Sequence, residues 1–117
     1  MPEKIIVVED DPDLRLCLSE ILRTEGYEIT EASSGSQAIA LLDSGISADL
    51  ILSDFLMRDG SGLEVLRHLK RKSGTLPVFF MMTGHSEVHS EEAKGMGVDE
   101  FILKPFDVPN LLGSIRK

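Results

Sequence analysis

The chain has 117 residues, of which 42% are hydrophobic and 27% charged, and its formal net charge is −8 at pH 7. This length predicts one domain spanning residues 1–117, and the negative charge argues against direct binding to nucleic-acid phosphates. No apolar stretch is long enough to span a membrane, and the first residues lack the basic start of a secretion signal. A single cysteine fits a reducing compartment, so we expect a cytoplasmic protein.

Apolar runs and helix-periodic segments alternate along the chain. The first run, Lys4–Val8, is short and β-branched and predicts a buried strand. Asp11 followed by Pro12 is typical of an N-cap and a first helical position, and Gly26 ends that helix. Cys17 lies beside the apolar stripe of the same helix and is interpreted as a packing residue.

The same alternation continues to the end of the sequence. The predicted strands are 4–8, 27–30, 49–53, 77–82 and 101–103. The predicted helices are 12 up to Gly26, 35–42, 62–71, a polar segment within 86–95, and 108–115. Strands that alternate with helices through short links predict a parallel sheet covered on both faces. Right-handed crossovers leave few arrangements, and we expect a flavodoxin-like (βα)5 doubly wound sheet with strand order 2-1-3-4-5.

Asp54 raises a question because it ends an apolar run that is expected to be buried. A buried carboxylate is costly unless a positive group or a metal ion compensates it. Capping of the next helix does not explain it, because Ser61–Glu64 already forms a capping box for that helix. The charge of Asp54 therefore predicts a partner elsewhere in the fold.

Other polar residues also follow predicted strands. Glu9 and Asp10 come after the first strand, Asp54 after the third, Thr83 after the fourth and Lys104 after the fifth. In the order 2-1-3-4-5 these four strands are neighbours, so their carboxyl ends share one edge of the sheet, where ligands of such folds bind. The second strand is the outermost strand on one side of the sheet and is not needed for this cluster.

A cluster of three carboxylates needs a counter-charge. Two carboxylates about 5 Å apart repel by roughly 3 kcal/mol at an effective dielectric near 20. Lys104 supplies one positive charge, and hard oxygen ligands without thiolates suit Mg²⁺ or Mn²⁺. A carboxylate can also act as a nucleophile and form an acyl phosphate. The sequence thus predicts a site that holds a metal ion and a phosphoryl group.

Five motifs resemble the response-regulator receiver domains of two-component signalling. They are VVEDD at 7–11, LILSDFLM at 50–57, Gly62, MMTG at 81–84 and FILKPF at 101–106. Each motif alone is weak, but all five occur in order and on the expected elements. The resemblance covers essentially the whole chain from Lys4 to the last helix.

The resemblance implies a role for each matching acidic residue. Asp54 would accept a phosphoryl group from the phosphohistidine of a histidine kinase or a histidine phosphotransfer protein. Asp10 would bind Mg²⁺ (or Mn²⁺) directly and Glu9 through water, together with Asp54 and the main-chain carbonyl of Leu56. The domain would regulate rather than catalyse turnover, assisting only its own phosphorylation and dephosphorylation.

The resemblance also implies phosphate contacts and a switch. Lys104 would pair with Asp54 or with its phosphoryl oxygens, and Thr83 and the Gly84 amide would bind the phosphoryl group. Thr83 and Phe101 would move together as a switch. The bond before Pro105 would be cis. The face formed by the fourth helix and fifth strand would then change, and the chain could pair with a second copy through that face and the fifth helix.

Two positions depart from the family pattern. Arg58 replaces a frequent proline four residues after the acceptor and adds a cation whose direction the sequence leaves open. Leu56 and His85 occupy positions that the family uses to tune the lifetime of the phosphoryl group. Because Leu56 has no group that could orient an attacking water molecule, we expect slow self-dephosphorylation.

Three other functions are less consistent with the sequence. A metal-dependent phosphatase with an aspartyl nucleophile would carry a second acid where this chain has Leu56. A flavin carrier of the same fold would need a hydroxyl- and glycine-rich phosphate loop after the first strand, where Glu9, Asp10 and Asp11 would repel an anion. A degenerate receiver that serves only as a docking module would not need the full set of site residues.

Overall fold

The computed structural model describes residues 3–57, 60–71, 76–84, 95, 97–104 and 106–116, with only the main chain at 56, 60 and 61. The main sheet has five strands: β1 (Lys4–Val8), β2 (Glu28–Ala32), β3 (Leu50–Asp54), β4 (Val78–Thr83) and β5 (Glu100–Leu103). They form one parallel sheet in the order β2-β1-β3-β4-β5, which confirms the predicted flavodoxin-like arrangement.

Four helices lie along the described parts of the chain. They are α1 (Pro12–Thr24), α2 (Gly35–Asp43), α3 (Gly62–Arg71) and the last helix (Val108–Arg116). A short antiparallel pair that the sequence did not predict, Leu56–Met57 with Gly60–Ser61, connects β3 to α3. Among the described helices, none combines the length and the apolar character that crossing a bilayer requires. The predicted fourth helix, within 86–95, falls outside the described residues except for Gly95.

Two apolar clusters form the core, one on each face of the sheet. Successive side chains of a strand point to opposite faces, so Ile5 and Val7 of β1 join one cluster while Ile6 and Val8 join the other. The first cluster includes residues of α1 and the last helix, and the second includes residues of α2 and α3. This burial on both faces explains why the strands read as continuous apolar runs.

The first helix begins as predicted. Asp11 is its N-cap, and the Asp11 carboxylate accepts hydrogen bonds from the amides of Asp13 (3.0 Å) and Leu14 (3.4 Å). Gly26, just past the end, has a φ of 97°, which favours glycine. The interpretation of Cys17 as a packing residue is wrong, because Cys17 is exposed. One helical residue turns by about 100°, which is enough to take Cys17 off the face that carries Leu18.

Two strands extend one residue beyond their predicted ends. Asp54 still pairs with Met82, and Thr83 still pairs with Leu103. Both polar residues are therefore the last members of their strands rather than the first residues of loops. Their main chains are fixed by the sheet, which gives their side chains a rigid base.

Candidate functional site

The predicted acidic residues lie together at the carboxyl-end edge of the sheet, where its parallel strands end. Glu9 and Asp10 follow β1, and Asp54 ends β3, the strand next to it. One carboxylate oxygen from each of the three lies within 4.8 Å of the others. Glu9 is almost completely buried, Asp54 is buried and Asp10 is half-buried. The structure thus brings together side chains from chain segments that are far apart in sequence.

Lys104 joins two of these carboxylates. Its Nζ lies 3.0 Å from Oε1 of Glu9 and 3.1 Å from Oδ1 of Asp54. The main-chain N–H of Lys104 donates to the carbonyl of Thr83 at 2.9 Å, so the ladder between β4 and β5 positions the lysine. The contact with Asp54 matches the sequence-based expectation. The contact with Glu9 was not predicted, and no local sequence pattern indicates it, because the two residues are 95 positions apart.

Glu9 is held at both its main chain and its side chain. Its N–H donates to the carbonyl of Ala32 at 3.0 Å, which extends the pairing of β1 with β2. Its Oε2 accepts from the Asp11 amide at 3.1 Å, and its carbonyl accepts from Nη1 of Arg15 at 2.8 Å. Sequence reasoning missed Arg15. The only available signal was a cation within one helical turn of three consecutive acids.

The main chain of Asp54 is enclosed by its neighbours. Its carbonyl accepts a hydrogen bond from Oγ of Ser53 at 3.0 Å. Gly62, the first residue of α3, packs so closely that an added Cβ would lie 2.6 Å from this carbonyl oxygen and 3.0 Å from Ser53 Oγ. Glycine is therefore required at position 62 by close approach, which accounts for this residue in the motif set.

Burial and charge act in opposite directions on the acidic groups. Burial raises the pKa of Asp54, whereas the nearby Lys104 ammonium works to lower it. Burial also raises the pKa of Glu9, opposed by hydrogen bonds from the Asp11 amide and Lys104. For Lys104 itself, burial lowers the pKa, but its contacts with Glu9 and Asp54 outweigh this effect and the pKa is raised. The two carboxylates therefore keep Lys104 in its charged form.

The donor set fits a divalent cation. Three carboxylates and one ammonium leave two net negative charges when all are ionised, and a divalent cation would balance them. The grouped ligand atoms are hard oxygens, which suit Mg²⁺ or Mn²⁺. Leu56, whose carbonyl was predicted as a further ligand, lies two residues after Asp54 in the short antiparallel pair.

The remaining predicted residues occupy the same region or lie outside the described chain. Thr83 ends β4 and is 4% exposed, while Gly84 next to it is exposed. Phe101 of β5 is half-buried and packs against the cluster that includes α2 and α3. The predictions for Arg58, His85 and Pro105 concern residues that the structure does not describe.

Comparison with known proteins decides the family. Residues 5–116 match the family model of the response regulator receiver domain. The chain belongs to this family. The resemblance that the five motifs indicated is thus confirmed for the chain as a whole, and receiver domains are regulatory modules of two-component systems whose acidic residues bind Mg²⁺.

Two curated relatives show how far the similarity extends. The receiver domain is 36% identical over 113 residues to the transcriptional regulatory protein CpxR of Klebsiella pneumoniae, covering 97% of this chain and 47% of CpxR. It is also 36% identical over 111 residues to the uncharacterized transcriptional regulatory protein YrkP of Bacillus subtilis, covering 95% and 47%. The chain therefore spans about half the length of these relatives.

Solved structures agree with the fold. The response regulator TrrA of Thermotoga maritima, crystallised in complex with Mg²⁺–BeF, is 32% identical with a TM-score of 0.85, covering 97% of this chain and 96% of TrrA. The chemotaxis response regulator CheY4 of Vibrio cholerae is 26% identical with a TM-score of 0.88, covering 99% and 98%. Similarity thus extends along nearly the whole of both chains.

Proposed function

We propose that this receiver domain is a phospho-accepting switch in which Asp54 takes a phosphoryl group in a Mg²⁺-dependent reaction. The observation that carries the proposal is the position of the Asp54 carboxylate. It lies 3.1 Å from the Lys104 ammonium and shares a cluster within 4.8 Å with Glu9 and Asp10. A carboxylate that can act as nucleophile, a cation and a group of carboxylates suited to a divalent metal therefore lie together, which supports phosphoryl transfer at this position.

The proposed donor is a phosphohistidine on a histidine kinase or a histidine phosphotransfer protein. An Asp54 carboxylate oxygen attacks phosphorus, a P–O bond forms and the P–N bond to the imidazole breaks. The leaving imidazole nitrogen takes up a proton, and Asp54 becomes an acyl phosphate. The domain adds no covalent chemistry beyond its own nucleophile, so its contribution is positioning and charge compensation.

Each neighbouring residue has a proposed part in binding. Glu9, Asp10, Asp54 and the Leu56 carbonyl hold the metal ion, which when bound offsets charge on the phosphoryl oxygens. Lys104 contacts the phosphoryl group from the β5 side, and Thr83 and the Gly84 amide donate hydrogen bonds to it from the end of β4. TrrA, a similar protein crystallised with Mg²⁺–BeF, supports this ligand pair for the present site.

We propose that the signal leaves through the face formed by the predicted fourth helix and β5. Phosphorylation adds up to about two negative charges. The new charge recruits the Thr83 hydroxyl, and Phe101, now half-buried, turns further inward. The change alters the face that includes β5 and the last helix, through which two copies could pair. We also propose a cytoplasmic location, where a kinase would supply the phosphoryl group.

Phosphorylation with a small donor tests the proposal. The domain is incubated with Mg²⁺ and acetyl phosphate, and the added phosphoryl group is measured by intact-protein mass spectrometry. Beryllofluoride binding in the presence of Mg²⁺ gives a second readout. We expect saturable modification that disappears in Asp54→Asn and without Mg²⁺. Asp49→Asn is the matched control, because it removes the same charge at the other end of β3 and should leave the modification intact.

The outcome also separates the alternatives. A docking module would show neither phosphorylation nor beryllofluoride binding in the wild-type protein. An aspartyl phosphatase would hydrolyse added phosphate esters over many turnovers, whereas the proposed switch should take one phosphoryl group per chain. Phosphorylation that persists in Asp54→Asn would contradict the assignment of the acceptor.

A further inference from the structure

Arg15 connects the acidic pair to the edge strand of the sheet. It lies in the first turn of α1, and its Nη1 donates to the Glu9 carbonyl at 2.8 Å. Its Nε lies 3.4 Å from Oε1 of Glu31, near the end of β2. The other carboxylate oxygen of Glu31 is 3.2 Å from Nη2 of Arg23. The side chain of Arg15 is only 20% exposed, so its two contacts are made in a partly desolvated place.

The hydrogen-bond ladder between β1 and β2 ends at Glu9. The Glu9 N–H still pairs with β2, through Ala32, whereas its carbonyl accepts from the guanidinium of Arg15. A hydrogen bond from a charged donor is stronger than a neutral one. With its carboxylate bound by the Asp11 amide and Lys104, Glu9 is fixed at four points. Asp10 is the next residue along, so the direction of its carboxylate depends on how Glu9 and Asp11 are held.

We propose that Arg15 is a positioning residue for the metal site: it fixes the Glu9 carbonyl and thereby the direction of the Glu9 and Asp10 carboxylates. Glu31 holds the guanidinium in place, whereas the contact of Glu31 with the half-exposed side chain of Arg23 is expected to add little. Strand β2, which the sequence analysis left out of the site, takes part through this chain of contacts. The inference rests on the proposed metal site and adds to it a residue that does not contact the metal.

The direction in which Mg²⁺ affinity changes on removal of Arg15 distinguishes a positioning role from a purely electrostatic one. Arg15 is a cation close to a cluster of acids, so its charge alone would repel a divalent cation and weaken its binding. Removing that charge should then tighten Mg²⁺ binding. If Arg15 instead orients the ligands, removing it should weaken binding, as loss of groups behind metal ligands generally does. The two roles therefore predict opposite changes.

The test compares Arg15→Gln with Arg23→Gln in Mg²⁺ titrations followed by calorimetry. Both variants remove one positive charge from α1 next to Glu31, but within the described part of the chain only Arg15 of the two contacts Glu9. We expect Mg²⁺ affinity to fall about tenfold in Arg15→Gln, at the low end of the effects of groups that orient ligands. Arg23→Gln should stay within about twofold of the wild type. Unchanged or tighter binding in Arg15→Gln would overturn the proposal.

A second readout uses the metal-free domain. The Asp11 amide donates to Glu9 Oε2, so its exchange with solvent, measured by NMR, reports how firmly Glu9 is held. We expect faster exchange in Arg15→Gln, with wild-type exchange in Arg23→Gln. Arg15→Lys keeps a charged donor that can reach the Glu9 carbonyl and should restore most of the Mg²⁺ affinity. Affinity in Arg15→Lys as low as in Arg15→Gln would count against the carbonyl contact.

Glu31→Gln keeps the test decisive if Arg15→Gln does not fold. It leaves Arg15 and its charge in place but weakens the hold on Nε, so faster exchange of the Asp11 amide is expected. Unchanged exchange would overturn the proposal. The outcomes also separate this inference from the proposed function. If the wild-type domain binds no Mg²⁺, the proposed metal site fails, whereas equal binding by wild type and Arg15→Gln removes only the role of Arg15.

Discussion

The two ends of the sheet use their carboxylates in opposite ways. At the carboxyl-end edge, Glu9, Asp10 and Asp54 cluster within 4.8 Å. At the amino-end edge, Asp49 and Asp99 bind main-chain amides instead. The first arrangement concentrates negative charge that can bind a metal ion. In the second, the carboxylates are engaged by main-chain amides of the sheet. The same residue types thus form a candidate site at one edge and structural links at the other.

The amino-end links are local and specific. Oδ2 of Asp49 accepts from the amides of Glu3 (3.1 Å) and Lys4 (3.0 Å), where β1 begins beside β3. Oδ2 of Asp99 accepts from the Phe79 amide at 2.8 Å, near the start of β4. Amides at the start of a strand would otherwise need water or another acceptor. Asp49 and Asp99 therefore stabilise the sheet, in contrast to the clustered acids at the other edge.

The largest expected effect comes from removing the cation of the carboxyl-end edge. In Lys104→Met the rate of phosphorylation by acetyl phosphate should fall on the order of 100-fold, as for loss of a donor that stabilises charge in a transition state. Mg²⁺ affinity should rise at the same time by about tenfold, because an ammonium that repels the metal ion is gone. The rate is followed by mass spectrometry and the affinity by calorimetry.

The opposite directions of these two changes make the prediction strict. A variant that had merely lost its fold would lose both properties. Metal affinity that stays at the wild-type value would show that Lys104 does not face the proposed metal site. The matched control is Lys4→Met, which removes a lysine at the amino-end edge and should leave both the rate and the affinity unchanged.

A second prediction concerns the close packing behind Asp54. Gly62→Ala places a Cβ 2.6 Å from the Asp54 carbonyl oxygen and 3.1 Å from Cε of Met81, so the main chain must shift. We expect the free energy of unfolding to fall by about 2–3 kcal/mol, as for overpacked cores. Urea unfolding followed by circular dichroism measures the change.

Gly113→Ala is the control for this substitution. Gly113 lies within the last helix. Apart from its two chain neighbours and the main chain of its own helix, no heavy atom of the described residues lies within 4 Å of an added Cβ. Alanine there should stabilise the domain by about 0.5–1 kcal/mol, because glycine is a poor helix former. Equal effects of the two substitutions would show that the contact with Asp54 does not explain Gly62.

Much of this fold could be predicted because its signals are local. Apolar runs gave each of the five strands to within about one or two residues, and Asp11 with Pro12 gave the start of α1. Right-handed crossovers left few strand orders, and the flavodoxin-like order among them, with its parallel strands, placed Glu9, Asp54 and Lys104 at one edge. Proximity in the site therefore followed from topology rather than from any single motif.

What could not be predicted depends on side-chain pairing across the fold. The contact of Lys104 with Glu9 and the link from Arg15 to Glu31 are set by register and rotamers, which local periodicity does not encode. Cys17 was misplaced for a different reason, because a residue one position from the apolar stripe lies about 100° away from it around the helix and is exposed. The pairing of 56–57 with 60–61 is too short to leave a periodic signal.

A third and smaller effect is expected at the amino-end edge. Asp99→Ala removes the acceptor of the Phe79 amide, and Phe79 is only 1% exposed. The free energy of unfolding should fall by about 1–2 kcal/mol, the cost of leaving such a donor without its partner. The phosphorylation rate should not change. A slower rate with unchanged stability would mean that this edge also serves the site, and the contrast between the edges would fail.

The last prediction uses pH to compare the two ends of β3. Hydrogen bonds from the amides of Lys4 and Glu3 hold the pKa of Asp49 below its ordinary value of 3.8, whereas burial raises the pKa of Asp54. As pH falls, the unfolded chain therefore protonates Asp49 before the folded domain does. The stability from ionised Asp49 is present above pH 3.8 and is lost as pH falls through the lowered pKa.

Asp49→Asn should be less stable than the wild type near neutral pH, and urea unfolding should show this difference shrinking in acid. A difference that stays constant down to about pH 3 would mean that the Asp49 charge does not strengthen these amide contacts.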